Sequence, residues 1–110
     1  MRIPILSVLT LFLLAAPAHA GYVTGKISVG DKSVGAKILV EVLSGKKVIA
    51  TAKTDKHSSY RMYVKEPGDY TIKVTYKGQS PTMKITVTEK TIRYDLVLEL
   101  KDNKYRLKRK

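Results

Sequence analysis

The chain has 110 residues and no cysteine, so a disulfide framework, a thiolate metal site and a lipid-modified cysteine are excluded. Twenty-one Lys and Arg against nine Asp and Glu give a net charge of +12, a balance that favours anionic partners.

Residues 1–20 read as a signal peptide. Arg2 supplies a charged start, Ile5 to Ala16 an apolar core, and Ala18-His19-Ala20 a small-x-small cleavage site before Gly21. The apolar run is shorter than the roughly 20 residues that span a bilayer. Removing this segment takes Arg2 with it and lowers the charge from +12 to +11. The expected mature region is one small domain that buries about 60–65% of its unfolded surface. With no covalent staple, its stability has to come from a regular apolar core.

From Gly21 onward the pattern alternates almost without interruption. Val23, Gly25, Ile27 and Val29 share one parity, and Gly30-Asp31-Lys32 signals a turn. Ile38, Val40 and Val42 form a second segment closed by Ser44-Gly45, and Val48 to Thr54 a third. Tyr60, Met62 and Val64 make the fourth. In the fifth, Tyr70, Ile72, Val74 and Tyr76 alternate with Thr71, Lys73, Thr75 and Lys77. Gly78 to Pro81 breaks the chain before Met83, Ile85 and Val87. Ile92, Tyr94, Leu96, Leu98 and Leu100 make the last and longest alternation.

Seven segments of period two separated by turn residues predict an all-β fold, a seven-stranded antiparallel β-sandwich over residues 21–100. The predicted core is Ile27, Ile38, Val40, Val42, Tyr60, Met62, Val64, Tyr70, Ile72, Val74, Met83, Ile85, Val87, Tyr94, Leu96 and Leu98. Residues 101–110, KDNKYRLKRK, read as a basic C-terminal tail beyond the sandwich.

Two basic features are candidate contacts for a partner. If Lys65 to Asp69 closes a hairpin, Val64 faces Tyr70 and Met62 faces Ile72 inside. The same register sets Arg61 opposite Lys73, and Tyr63 opposite Thr71, on the outer face. Like charges directly opposite cost a few tenths of a kcal/mol. Lys65, Lys77 and Lys84 extend that surface, and Tyr63 adds an exposed aromatic. The second feature is the tail, with Lys104, Arg106, Lys108, Arg109 and Lys110. Cations around an aromatic suit an acidic glycan, a lipid headgroup, an acidic protein or a nucleic acid. Nucleic acid is the disfavoured partner for an exported chain.

No catalytic constellation is legible. His57 is the single histidine after residue 20 and sits in a turn beside Ser58-Ser59. A triad needs further partners around a pocket. One histidine and no cysteine leave zinc without its usual ligands, and no acidic cluster has calcium-loop spacing. No catalytic residue, metal or cofactor is expected.

Gly25, GAKILVEV (Gly35–Val42), TDKHSSY (Thr54–Tyr60), PGDYTIKV (Pro67–Val74) and Gly78 come in an order and spacing that resemble the carboxypeptidase regulatory-like domain. The resemblance covers nearly all of the chain after residue 20. It implies a transthyretin-like, seven-stranded Greek-key sandwich and a noncatalytic module. Ser58 stands where that family usually has glycine in a tight turn. Transthyretin-like hydrolases acting on hydroxyisourate are an enzymatic precedent on this kind of fold. Their Tyr-Arg-Gly-Ser type ending is absent, and this chain ends in LKRK. The expected function is an exported binding or adaptor module for an anionic cell-envelope polymer, lipid headgroup or acidic protein. The alternatives are a structural accessory domain acting through sheet edges and a small hydrolase.

Overall fold

The alternation seen in the sequence folds into strands throughout a computed structural model that describes residues 21–110. The expected signal segment and its cleavage site lie outside the described residues. In chain order the strands are β1 (Gly21–Val29), β2 (Lys32–Ser33), β3 (Leu39–Ser44), β4 (Lys47–Lys53), β5 (Ser59–Val64), β6 (Gly68–Thr75), β7 (Thr82–Val87), β8 (Ile92–Arg93), β9 (Leu96–Lys101) and β10 (Lys104–Arg109). The described residues contain no helix.

The strands form a six-stranded and a four-stranded sheet. β1 is the centre of the first. β5 runs antiparallel to it over Gly21–Lys26, and β2 extends the same edge at Ser28 and Val29. Along the other edge β8 and β9 run parallel to β1, pairing Val23 with Ile92 and Ile27 with Leu96. The expectation of a wholly antiparallel arrangement is corrected here. A parallel pair needs a long crossover, and most of the chain separates β1 from β8. β10 closes the far edge, antiparallel to β9. The second sheet, β4-β3-β6-β7, is antiparallel throughout, with a bulge at Val42/Leu43.

The two sheets share one core. Val23, Ile27, Met62, Leu96 and Leu98 from the first bury against Val40, Val42, Ile72, Val74, Ile85 and Val87 from the second. Of the predicted core, Ile38, Tyr70 and Met83 are only partly buried, while Val23 and Leu107 join it.

Three further departures from the sequence reading have physical causes. First, β5 and β6 do not form a hairpin: β5 pairs with β1, and β6 with β3 and β7. Lys65–Pro67 instead carries the chain from one sheet to the other, held by the Tyr70 hydroxyl donating to the Glu66 carbonyl at 2.6 Å. Parity cannot separate the two topologies, because both put Met62 and Ile72 inside. The predicted Arg61–Lys73 repulsion therefore does not exist.

Second, the last long alternation divides into β8 and β9. Tyr94 and Asp95 lie opposite Gly25 and Lys26 at the break. A Cβ on Gly25 would sit 1.9 Å from the Tyr94 carbonyl oxygen, so only glycine fits. The Tyr60 hydroxyl donates to that oxygen at 2.6 Å, and burial pushes its pKa up, so it remains a donor.

Third, the basic stretch read as a tail contains β10. Asp102 and Asn103 both have positive φ, 53° and 64°, as a two-residue hairpin turn of type I′ requires. Leu107, 7% exposed, anchors the strand in the core.

The turn before β5 is left-handed at Ser58. Ser58 has φ 65° although it is not glycine, and it is fully buried. Its Oγ accepts the Gly35 N–H at 2.8 Å and its carbonyl accepts the Ile27 N–H at 3.0 Å, which offsets the left-handed backbone.

Candidate anion-binding face

The core-facing side of β1 uses Val23, Gly25 and Ile27, so Tyr22, Thr24 and Lys26 project outward. The register places Tyr22 beside Tyr63 and Thr24 between Arg61 and Arg93. The Arg61 guanidinium lies 4.0 Å above the Tyr22 ring. The Tyr22 and Tyr63 rings are 5.3 Å apart and tilted by 57°. Tyr63 is 50% exposed. Stacking fixes the guanidinium while leaving its donors free for an anion.

The face continues over β9 and β10. Leu96, Leu98 and Leu107 point inward, so Glu99, Lys101, Lys104, Arg106 and Lys108 have the outward parity. The outer surface of this sheet thus carries Lys26, Arg61, Arg93, Lys101, Lys104, Arg106 and Lys108 against Asp95 and Glu99. Both acids are engaged. Glu99 holds Lys108 at 3.0 Å. Asp95 accepts Arg93 Nε on both oxygens at 2.9 Å and the Lys26 N–H at 2.9 Å. The Arg93 hydrogen bonds hold the Asp95 carboxyl below the usual carboxylate range.

The structure gathers only some of the predicted contact residues. Arg61 and Tyr63 share this face with Lys104, Arg106 and Lys108. Lys110 is near by, its N–H donating to the Asp95 carbonyl at 2.7 Å. Arg109 has the opposite parity. Its guanidinium lies 4.3 Å over the Tyr94 ring and donates to the Arg93 carbonyl at 2.9 Å, which pins β10 to β8. The other four candidates lie elsewhere. Lys65 sits in the inter-sheet connection, beside Val48, Ile49 and Tyr70. Lys73 is on the second sheet, 3.4 Å from Glu41. Lys77 occupies a turn with φ 48°, 5.4 Å from the Tyr76 ring. Lys84 is exposed on β7 in the second sheet.

Tyr22, Lys26 and Arg93 were not among the predicted contact residues. Their outward parity was legible, but only the pairing of β1 with both β5 and β8 shows that they adjoin Arg61. His57 is exposed, and its backbone N–H donates to Asp55 at 2.8 Å. Among the described residues, no three His, Cys, Asp or Glu side chains group as metal ligands. No described helix is long and apolar enough to cross a membrane. No protein-family model matches the chain, and a search of curated proteins finds no match.

Proposed function

We propose that the chain is an exported, noncatalytic binding module that uses the outer face of the first sheet to hold an anionic cell-envelope component or an acidic partner protein. In this reading the two sheets form a transthyretin-like Greek-key sandwich, the seven-strand frame of the carboxypeptidase regulatory-like domain, with its last strand divided into β8 and β9 and with β2 and β10 added to it. Export rests on the Ala18-His19-Ala20 site.

The observation that most supports the reading is the sorting of charge. Cations and two exposed tyrosines collect on one rigid sheet face, and the few acids there are already hydrogen-bonded. Such a face attracts polyanions at long range and offers aromatic surface at contact. Exposed charges are screened beyond about 8 Å at 0.15 M salt, so binding should weaken as salt rises.

The test is surface-plasmon binding of the mature protein to a panel of anionic and neutral glycans and lipids at two ionic strengths. A salt-sensitive preference for anionic members is the expected result. Equal binding to neutral members would overturn it. A second reading, an accessory domain acting through a sheet edge, is favoured by one observation: the edge strand β4 exposes Val48 and Ile49. Substituting both by Thr would then abolish partner capture while leaving anion binding intact.

A further inference from the structure

A groove of about 500 Å³ opens where β5, at the edge of the first sheet, meets the end of β4 in the second. Its floor includes Gly25 and Tyr60, and its rim carries Lys26, Lys53, Arg61 and Arg93. These four cations come from β1, β4, β5 and β8, so the fold brings them together from distant parts of the sequence. The one acid in the lining, Asp55, has an oxygen occupied by the backbone N–H groups of His57 and Ser59 at 2.8 and 3.0 Å. Arg93 is paired with Asp95. Among the described residues, Lys26, Lys53 and Arg61 have no ion-pair partner.

We propose that this groove is a subsite for a single phosphate monoester group carried by the anionic ligand. The inference rests on the binding reading above and goes beyond it by naming a chemical group and a place. Three unpaired cations against Asp55 leave about two positive charges, more than one carboxylate would balance, whereas a phosphate monoester carries about −1.5 to −2. Arg61 offers a planar fork for two phosphate oxygens, and its stacking on Tyr22 holds the fork in place before binding. Lys26 and Lys53 approach as point charges from the two sheets. The volume lies within the roughly 300–1,000 Å³ of small-molecule sites, so the phosphate can bring a sugar or glycerol with it. Tyr22 and Tyr63 lie two register pairs further along β1 and β5 from Arg61, where an attached ring would meet an aromatic surface.

The test is NMR titration of the mature protein with inorganic phosphate, sulfate and acetate at constant ionic strength. The expected result is saturable shifts at the Gly25, Lys26 and Ser59 amides with phosphate, and at least about fivefold weaker effects with acetate. Lys53→Ala and Arg61→Ala should each weaken phosphate binding severalfold. Replacing Lys104, Arg106 and Lys108 together by Ala should leave it unchanged while weakening polymer binding. Unsaturable shifts spread over the whole face, or equal response to acetate and phosphate, would overturn the subsite. In that case retained capture of anionic polymers would show that the broader reading survives. Phosphate binding without polymer capture would remove the broader reading and keep the groove. A monosaccharide phosphate and vesicles containing phosphatidic acid then identify the carrier, since the preferred probe should compete with inorganic phosphate at the same amides.

Discussion

The outer faces of the two sheets are built from the same alternation and differ in how densely they carry charge. On the first, β1, β5, β9 and β10 present tyrosines and mostly unpaired cations, and β8 adds Arg93, paired with Asp95. On the second, β4, β6 and β7 present Thr51, Thr71, Thr75, Thr82 and Thr86 with only Lys53 and Lys84 among them, and Lys73 is neutralised by Glu41 across the β3–β6 pair. Threonine favours strands through its branched Cβ and brings no charge. The second face therefore reads as a solvated wall. Local strand preference does not require the cations of the first, so their placement is the stronger pointer to a partner.

The largest effect should come from breaking the edge of the first face. Leu107→Asp buries an unpaired carboxylate, which costs several kcal/mol, comparable with the stability of a small domain. Loss of cooperative melting is expected. A wild-type melting curve would mean that residues 104–109 are a tail, and the cationic face would shrink by a strand.

Matched double substitutions separate the two faces. Lys26→Ser with Arg61→Ser should weaken capture of an anionic polymer by about tenfold or more, a loss near 1.4 kcal/mol. Lys73→Ser with Lys84→Ser should change it less than about twofold, because Lys73 is already paired with Glu41 and Lys84 stands on the other sheet. Equal losses from the two pairs, read by titration at one salt concentration, would erase the distinction between the faces.

A smaller effect lies in the turn that seats β5 against β1. Both Ser58→Ala and Ser58→Gly leave the Gly35 N–H without its acceptor, a loss of about 1–3 kcal/mol. Glycine tolerates φ 65° and alanine does not, so the glycine variant should be more stable by about 1 kcal/mol. Urea melts of the two variants measure the difference.

The smallest concerns the acid that organises the first face. The folded Asp95 carboxyl titrates below its unfolded value, chiefly through Arg93. A depressed pKa contributes stability that is present above the unfolded value and fades as pH falls through the folded one. Melting temperature should therefore drop below about pH 4, and Asp95→Asn should flatten that acid limb. An unchanged limb in the variant would assign the acid sensitivity to other carboxyls.

Much of the fold was legible because a two-residue period is a direct record of which side is buried. Val40, Ile72 and Leu98 announce themselves that way. Partner choice left no comparable record. Arg61 and Lys73 look like neighbours along the chain, yet a three-residue connection sends them to different sheets. Asp102-Asn103 is a hairpin signal, but the cations around it hide the apolar side of Tyr105 and Leu107. The groove was the least legible part, since Lys26, Lys53, Arg61 and Arg93 meet only after both sheets have formed.

The central place of β1 has a consequence for how the domain assembles in time. Its hydrogen-bond partners on one edge lie about seventy positions downstream, as the Lys26–Asp95 contact with its separation of 69 shows. Such distant pairings carry a large loop-closure cost and slow folding toward the millisecond-to-second range. Until β8 and β9 arrive, β1 keeps an open edge. A chain handled from its N-terminus would therefore travel with its central strand unfinished. Its final hairpin, the most cationic stretch of the sequence, would close that edge last.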